Sequence, residues 1–310
     1  MKVLVAGSTG MAGSAITNEL LSRGETVIGI SRANVDLLNV NATREFLSST
    51  KPDVVIDAAA KVGGIAANKA NPVEFLTQNI KMQLNLMEAS HLVGVRKFIF
   101  LASNCIYPRD SQQPMKEEYL MTGHLEESNS SFAVAKIAGI ELVNAYRQEF
   151  GHDWISVIPA SLYGPGDNFK YAESHVFPAL IRRFVDAVDT GEREVTLWGS
   201  GLARREFLFI EDFAKAVLLT IDKYSSKVPL NIGSGAEISI SDLATMIAKS
   251  TGFNGVINWD AEKPEGVLRK LLDSKLINEI GWEARTSLQD GVDLTVSWFR
   301  KASKDGLIRI

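Results

Sequence analysis

Short runs of apolar and β-branched residues alternate, in the first half of the chain, with segments in which apolar residues recur at helical spacing. Such a run is typical of a strand that is buried on both faces. The runs predict strands over residues 2–6, 26–30, 53–60, 97–102 and 153–159. Strands that alternate with helices predict an α/β fold, a doubly wound parallel sheet with right-handed crossovers.

The pattern changes after about residue 163, where Gly164-Pro165-Gly166 forms a turn cluster. Beyond this cluster the spacing predicts a helix, a strand and two more helices, over residues 177–188, 194–198, 240–251 and 288–303. We therefore expect a first domain over 1–165 and a second, smaller α/β substrate lobe over 166–310. The chain is expected to return to the first domain near 206–217.

Composition narrows the class of protein. The 310 residues are enough for two lobes, and Lys+Arg 33 against Asp+Glu 37 gives no sign of a nucleic-acid surface. The first ten residues hold an apolar run too short for a signal peptide or a membrane span, so we expect a cytoplasmic protein without a membrane partner. Cys105 is the only cysteine, which excludes an internal disulfide and leaves its thiol for packing or chemistry.

Three glycines, Gly7, Gly10 and Gly13, lie at the predicted turn from the first strand into the first helix. Backbone can approach a pyrophosphate closely at such a turn, and amides at the helix N-terminus can donate to its oxygens. An ordinary tight turn is the alternative. The position directly after the first strand favours a dinucleotide site, and hence a Rossmann domain over 1–165.

The residue after the second predicted strand indicates which dinucleotide binds. An NAD site would place an acidic residue there for the ribose hydroxyls, but this strand is followed by Ser31 and Arg32. A guanidinium suits a 2′-phosphate, with which it makes charge-assisted contacts. We therefore expect NADP as the cofactor, with a solvated loop charge as the alternative role of Arg32.

The stretch KFIFLASNCIYP, residues 97–108, joins a buried strand to small and polar residues. Ligands in open parallel sheets lie past the carboxyl ends of the strands, so Ser103, Cys105 and Tyr107 are expected to face a cleft. Phe132 and Lys136 lie four residues apart and thus on one face of the next predicted helix. A serine with Tyr-x-x-x-Lys would form a proton relay, and here Phe132 stands at the tyrosine position.

Motifs along nearly the whole chain resemble those of the GDP-L-fucose synthases, which are extended short-chain dehydrogenase/reductases. They are GxxGxxG from residue 7, AAAKVGGI at 58–65, SNCIYP at 103–108, AKIAG at 135–139, LYGPGDNF at 162–169, SHVFPALIRRF at 174–184, WGSG at 198–201, RREF at 204–207 and RKLLD at 269–273. The resemblance implies a GDP-4-keto-6-deoxy sugar that is epimerised beside its ketone and then reduced at C4 by NADPH.

The resemblance also implies roles for individual residues. Cys105 matches the base of the epimerisation and His175 its acid, while Ser103, Phe132 and Lys136 fall on the Ser, Tyr and Lys of the reductase. The implied cofactor contacts are Gly7, Thr9, Gly10, Met11, Gly13, Arg32, Asp36, Leu37, Ala58, Ala59, Ala60, Lys136 and His175. The implied contacts of the sugar nucleotide are Ser161, Arg183, Trp198, Arg205 and Lys270, and no metal ligands are identified.

Several of these residues have an alternative role. Cys105 is alternatively a small buried hydrophobe, His175 a helix cap, Lys136 a solvated helix lysine and Trp198 a core residue. Arg182 and Arg204 are neighbours that serve equally well by spacing as the phosphate-binding arginines. Ser161 stands where the family commonly carries Asn, which leaves the exact sugar open.

Phe132 keeps the ring but lacks the hydroxyl that would donate a proton to the C4 oxygen, so reduction is expected to be impaired. The residue is either natural, in a chain that epimerises without efficient reduction or uses another donor, or was introduced to trap a substrate complex. We favour the second explanation because the other four catalytic positions are intact.

Other functions remain open beside the main one. A GDP-colitose or GDP-6-deoxy-heptose synthase would follow the same plan, and a non-reducing variant would only bind NADP and a GDP-sugar. A 4-epimerase or 4,6-dehydratase is disfavoured, because a dehydratase needs an acid and a base where this chain has Ser103-Asn104-Cys105. By the resemblance alone, we expect a homodimer through the helices predicted over 72–92 and 131–150.

Overall fold

The computed structural model describes residues 1–171, 174–263 and 266–308. The strands are β1 (Lys2–Ala6), β2 (Thr26–Ile30), β3 (Val54–Asp57), β4 (Lys97–Leu101), β5 (Asp153–Pro159), β6 (Ser161–Tyr163), β7 (Glu194–Trp198), β8 (Arg204–Phe209), β9 (Leu230–Ile232), β10 (Glu237–Ser239), β11 (Val256–Asp260) and β12 (Arg269–Lys270). The helices are α1 (Met11–Ser22), α2 (Val40–Thr50), α3 (Ile65–Ala70), α4 (Pro72–Leu92), α5 (Ser130–Phe150), α6 (Val176–Thr190), α7 (Ile210–Lys223), α8 (Ile240–Thr251), α9 (Lys275–Glu279) and α10 (Leu288–Lys304). None of these helices combines the length and the apolar composition that crossing a membrane requires.

One parallel sheet organises the first part of the chain. Its strand order is β2, β1, β3, β4, β5 and β9, with every neighbouring pair parallel. The predicted doubly wound α/β fold is thereby confirmed. The observed β3 ends at Asp57 rather than at residue 60, and β4 ends at Leu101 rather than at residue 102. The sixth strand, β9, was not predicted, because three residues carry no periodic signal.

Buried apolar side chains form two clusters, and the chain passes from one to the other between Ala160 and Tyr163. The first cluster surrounds the large sheet, where α7 also packs against α1. The second cluster holds α6, α8 and α10 against β7 and β8. We keep the domain boundary near residue 165 as a proposal, and this change of cluster is the observation behind it.

Close packing of α5 on β4 fixes the height of the helix above the sheet. A β-carbon at Gly139 would lie 2.3 Å from the ring of Phe100, so no larger residue fits there without displacing the helix. Lys136 lies one turn earlier on α5 and is thereby held directly above the end of β4.

Asn231, in the middle of β9, connects three segments through one fully buried amide. Its Oδ1 accepts a hydrogen bond from the Tyr107 hydroxyl at 2.7 Å. Its Nδ2 donates to the carbonyls of Met115, at 2.9 Å, and Asp273, at 3.1 Å. A buried amide satisfied in this way fixes its partners, because breaking any contact leaves a polar group without water. The segments after β4 and after β12 are therefore held together.

Candidate active site

The turn between β1 and α1 leaves no room for side chains. Gly7 has a φ of +74°, and a β-carbon on it would lie 2.8 Å from the carbonyl oxygen of Ala58. A β-carbon on Gly13 would lie 2.1 Å from the carbonyl oxygen of Gly7. Within the described ranges, no side chain caps α1 at Gly10. The positive end of α1 thus meets an all-backbone cradle, an arrangement that fits a pyrophosphate between Thr9 and Gly13.

The segment after β3 forms the opposite wall of this cradle. Ala58 N–H donates to Ala6 of β1, and Ala59 N–H donates to the Asp57 carboxylate at 3.1 Å. Lys61 N–H donates to the buried amide of Asn79 at 2.8 Å. These contacts hold residues 58–60 extended and half-buried beside the glycine turn. The predicted cofactor residues of both segments, Met11 among them, therefore lie together.

The loop after β2 presents the guanidinium of Arg32. Ser31 N–H donates to Asn34 Oδ1 at 2.7 Å, which closes the loop behind the exposed Arg32. No ion pair or hydrogen bond of the Arg32 side chain occurs within the described part of the chain. Asp36 caps the next turn through Leu38 N–H, and Leu37 is buried in the first core cluster.

Ser103 and Cys105 lie immediately past the end of β4. Ser103 precedes a 3-10 turn over Asn104–Ile106, and its Oγ accepts a hydrogen bond from Cys105 N–H at 3.5 Å. Cys105 is only 5% exposed, and burial raises the pKa of its thiol. The ammonium groups of Lys270 and Lys136 act in the opposite direction on this pKa. The thiol is therefore buried, but among the cations of the site.

The expectation that Tyr107 faces the cleft is wrong. Its ring is buried, and its hydroxyl donates to Asn231. The reason is the 3-10 turn, which begins directly after Ser103 and ends the alternation of a strand, so Tyr107 does not share a face with Ser103.

Lys136 is not a solvated helix lysine, since its side chain is 3% exposed. Its Nζ donates to the carbonyl of Leu101 at 2.7 Å and lies 4.6 Å from the centre of the Phe100 ring. Burial lowers the pKa of Lys136, whereas the carboxylate of Asp57 opposes this shift. The Phe132 ring lies 6.0 Å from the same Nζ and packs edge-to-face on Phe75. Lys136 and Phe132 thus share one face of α5, as their spacing predicted.

His175 stands directly before α6 and makes no capping hydrogen bond with its side chain in the described ranges. Helix capping therefore does not explain this histidine. The side chain is open to solvent, yet the surrounding protein lowers the pKa of its imidazole through desolvation.

The structure distinguishes Arg182 from Arg183 but does not distinguish Arg204 from Arg205, since the Arg205 guanidinium also donates, to the carbonyl of Arg204 at 2.8 Å. Arg182 donates to the carbonyl of Phe169 at 2.8 Å, and Arg204 donates to Glu237 at 2.9 Å, so both support the fold. Arg183 is exposed on α6. Arg205 lies opposite Lys270 in the parallel pairing of β8 with β12.

Trp198 and Ser161 occupy different surroundings. Trp198 is 60% exposed, so the alternative that it is a core residue is wrong. Ser161 begins β6 and is half-buried, next to the end of β5. An exposed indole is available to cover a base or a sugar ring.

Comparison with known proteins places this geometry in a family. Residues 3–233 match a model described as the NAD dependent epimerase/dehydratase family. The chain belongs to this family. The fold and the glycine turn of this epimerase/dehydratase agree with that assignment, and the resemblance found in its sequence motifs is confirmed.

Individual relatives are similar over nearly the full length. GDP-L-fucose synthase 1 of Arabidopsis thaliana is 44% identical, over 97% of this chain and 93% of the relative. GDP-L-colitose synthase of Yersinia pseudotuberculosis is 38% identical, over 96% of this chain and 98% of the relative.

Two solved structures show the same architecture. A GDP-6-OMe-4-keto-L-xylo-heptose reductase from C. jejuni superimposes with a TM-score of 0.91 at 30% identity, over 97% of each chain. A GDP-L-fucose synthetase from Naegleria fowleri bound to NADP has a TM-score of 0.91 at 27% identity, over 100% of this chain and 96% of that one.

Sequence reasoning missed two buried carboxyls of this epimerase/dehydratase. Asp57 ends β3 and is 1% exposed, and its Oδ2 has no hydrogen-bond partner among the residues that the structure describes. Burial raises its pKa to about 6, against the opposing charge of Lys136. Glu206, buried in β8, accepts from Gly235 N–H at 2.8 Å and from Leu272 N–H at 2.9 Å, and so fixes the segment after β12. A lone acid at the end of an apolar run was the available signal for Asp57, whereas Glu206 follows two arginines and gave no such signal.

Replacing Asp57 with Asn is expected to stabilise the protein at neutral pH more than at acidic pH. The carboxyl has a pKa of about 6 when folded and 3.8 ordinarily, so the folded state loses stability as pH rises through this window. The total loss is about 3 kcal/mol above pH 6. We expect the difference in unfolding free energy, Asp57→Asn minus wild type, to increase by about 2 kcal/mol between pH 4.5 and pH 7.5 in urea titrations.

The matched control is Asp222→Asn, on the exposed side of α7. This variant makes the same change of side chain at an exposed position. A flat difference for Asp57→Asn would mean that Asp57 ionises in the folded protein as it does in water.

Proposed function

We propose that the protein is an NADPH-dependent epimerase/reductase of a GDP-4-keto-6-deoxy sugar. The observation that carries the proposal is the meeting of Ser103, Cys105 and Lys136 at the carboxyl end of β4, at the sheet edge that also carries the glycine turn. The relative named GDP-L-fucose synthase 1, at 44% identity over nearly the full chain, supports the substrate class.

The residues present fit an NADP molecule. The turn over residues 7–13 and the start of α1 would hold the pyrophosphate, Arg32 would hold the 2′-phosphate, and Lys136 would hold the nicotinamide ribose. At Gly7 and Gly13 there is no room for a β-carbon, and such bare backbone allows a diphosphate to approach closely. The relative's structure from Naegleria fowleri, described as bound to NADP, supports this assignment. When bound, the reduced cofactor supplies the hydride for C4.

The epimerisation is carried out by side chains of the protein. A proton beside the ketone is acidic enough for the thiolate of Cys105 to remove, and the imidazolium of His175 gives its proton to the other face of the carbon. The hydroxyl of Ser103 donates to the oxygen on which negative charge develops. Arg183, Arg205 and Lys270 provide cations for the nucleotide diphosphate.

Two related functions are alternatives to the main proposal. The relatives named GDP-L-colitose synthase and GDP-6-OMe-4-keto-L-xylo-heptose reductase show that the same fold serves other GDP-sugars. The serine at position 161, where the fucose synthases commonly carry Asn, favours such a variation. A non-reducing protein that binds NADP and a GDP-sugar is the alternative that Phe132 favours.

A homodimer and a cytoplasmic location belong to the proposal. α4 and α5 pack side by side, and both expose apolar side chains, among them Val73, Leu84 and Val134. Apolar faces on two adjacent long helices suit a second copy of this chain. A lone cysteine is compatible with a reducing compartment.

Phe132→Tyr is expected to raise the rate of NADPH oxidation with a GDP-4-keto sugar at least tenfold. The variant restores a phenol within reach of Lys136, and general acid catalysis is typically worth about 10² to 10⁴ in rate. The measurement is the loss of absorbance at about 340 nm as NADPH is oxidised. Phe150→Tyr is the control, because it makes the same change at the exposed end of the same helix. An unchanged rate in Phe132→Tyr would exclude this residue from the reduction.

Arg32→Ala is expected to weaken NADPH binding by about tenfold to a hundredfold, since it removes a charge-assisted contact worth about 1.5 to 3 kcal/mol. NADH, which lacks the 2′-phosphate, should bind equally to both proteins. Tryptophan fluorescence titration gives both dissociation constants. Arg23→Ala, at the exposed end of α1, is the control. Equal loss for NADPH and NADH would show that Arg32 does not contact the phosphate.

Leu84→Glu is expected to convert the homodimer into monomers in sedimentation experiments, because two buried carboxylates would face each other across the helix pair. Leu294→Glu, on the exposed side of α10, should leave the mass unchanged. A monomeric wild type would refute the proposed dimer.

A further inference from the structure

Two histidines that take no part in the proposed function lie at the amino ends of the strands, at the opposite end of the sheet from the glycine turn. His91 lies in the last turn of α4, and His152 lies between α5 and β5. Nδ1 of His91 is 2.8 Å from Nε2 of His152. At this distance a single proton lies between the two nitrogens, so at least one of them presents a lone pair.

Aromatic side chains hold both imidazole rings in place. The ring of His152 stacks on the indole of Trp154, with the ring centres 4.6 Å apart and 7° between the planes. Trp154 is fully buried and so provides a fixed support. The ring of His91 lies 4.3 Å from that of Phe150 and 5.3 Å from that of Tyr146. The two nitrogens are therefore preorganised to face each other.

The separation of these nitrogens fits a metal ion that binds both at a right angle. Two imidazole nitrogens at about 2.0 to 2.1 Å from one ion, with a right angle between the bonds, lie about 2.8 to 3.0 Å apart. Tetrahedral binding to Zn²⁺ would separate them by about 3.3 to 3.4 Å. The observed 2.8 Å matches the square geometry of Cu²⁺ and Ni²⁺. A hydrogen bond between the rings has the same length, so the surrounding charges have to decide.

Those charges favour a metal ion over a second proton. Helices α4 and α5 both end beside the pair, which brings the partial negative charge of two helix C-termini next to it. Loss of hydration lowers the pKa of His152, and the charge of His91 lowers it further, so His152 is neutral at neutral pH and keeps a lone pair. The neighbouring cations Lys97 and Arg147 both bind the carboxylate of Asp153. A metal ion bound to neutral rings satisfies both the helix ends and the desolvated imidazole.

Two imidazoles supply only part of a coordination shell. Over residues 1–171, 174–263 and 266–308, no group of three or more histidine, cysteine, aspartate or glutamate side chains is placed to hold a metal ion. Both histidines are half-buried rather than enclosed, so water reaches the pair and can fill the other positions. Imidazole suits Ni²⁺ and Cu²⁺, whereas Mg²⁺ requires oxygen ligands.

We propose that His91 and His152 form a binding site for a divalent transition metal ion that takes imidazole ligands at a right angle, Ni²⁺ or Cu²⁺. The ion occupies the position of the shared proton. The ring that held this proton carries it on its other nitrogen, so both facing nitrogens donate a lone pair and no proton is released. Because α4, α5 and β5 meet here, the bound ion joins their ends and stabilises the folded chain by mass action.

The test uses Ni²⁺ alone, added to the full-length protein without a polyhistidine tag, cofactor or sugar. Calorimetric titration at about pH 7.5 is expected to give one ion per chain, with a dissociation constant below about 1 mM. His91→Gln and His152→Gln should each weaken binding at least about tenfold, because each removes one of the two protein ligands. Ni²⁺ should raise the melting temperature of the wild type but not that of either variant.

The matched control is His124→Gln, which makes the same change at an exposed histidine in the loop before α5 and should bind Ni²⁺ like the wild type. Mg²⁺ is the control ion and should not saturate the protein. Should His152→Gln not fold, His91→Gln decides by itself.

The proposal would be overturned if the wild type did not saturate at about 1 mM Ni²⁺, or if a folded His91→Gln protein bound Ni²⁺ equally well. Proton NMR supplies a second readout. Ni²⁺ should broaden the ring signals of His91 and His152 before that of His124. Rings that titrate together with pH and ignore Ni²⁺ would show a pair that shares only a proton, which also contradicts the proposal.

Discussion

An ammonium group held away from water is the constraint on which the rest of the site depends. The burial of Lys136 is made possible by two contacts: its ammonium donates a hydrogen bond to the carbonyl of Leu101, and it lies over the Phe100 ring. Both partners belong to β4, and α5 must lie close above that strand for Lys136 to reach them. Gly139 allows α5 to lie this close to β4, because any side chain at this position would collide with the Phe100 ring.

The same burial produces a series of interacting charges across four elements. The charge of Lys136 lowers the pKa of Asp57 and of Cys105, and the charge of Lys270 lowers that of Cys105 as well. Burial shifts the pKa of Asp57, Lys136 and Cys105 away from its ordinary value, and the charge of a neighbouring group shifts it partly back. Phe132 lies on the same face of α5 as Lys136, with its ring 6.0 Å from the ammonium.

Much of the fold followed from local pattern. Buried parallel strands and amphipathic helices carry strong signals, so β1, β2, β5 and α8 have the predicted bounds. The glycine turn was also predictable, since close backbone approach allows no other residue type. The predictions that failed concerned features that depend on tertiary contacts. The three residues of β9 become a strand only by pairing with β5, and Tyr107 turns inward because Asn231, far along the chain, accepts its hydrogen bond.

Within the candidate site, sequence motifs predicted which residues lie together, but they did not predict the burial or the hydrogen bonds of each side chain. Spacing could not separate Arg183 from Arg182, because the distinction rests on a carbonyl of Phe169 that only the folded chain brings near. Asp57 was missed for a similar reason, since its unusual ionisation comes from burial between β3 and the helices above it. The roles of the predicted catalytic residues stay predictions.

Solvent exchange tests the central claim most directly, because it reports the thiol and the imidazole without requiring reduction. The chain is incubated in deuterated water with NADP and a GDP-4-keto-6-deoxy sugar, and proton NMR follows the positions beside the ketone. We predict deuterium at one or both of these carbons in the protein with Phe132, and at least a hundredfold slower uptake in Cys105→Ser, in line with the typical contribution of about 10² to 10⁴ from a positioned acid or base. Binding of the sugar with no uptake of deuterium would contradict the account.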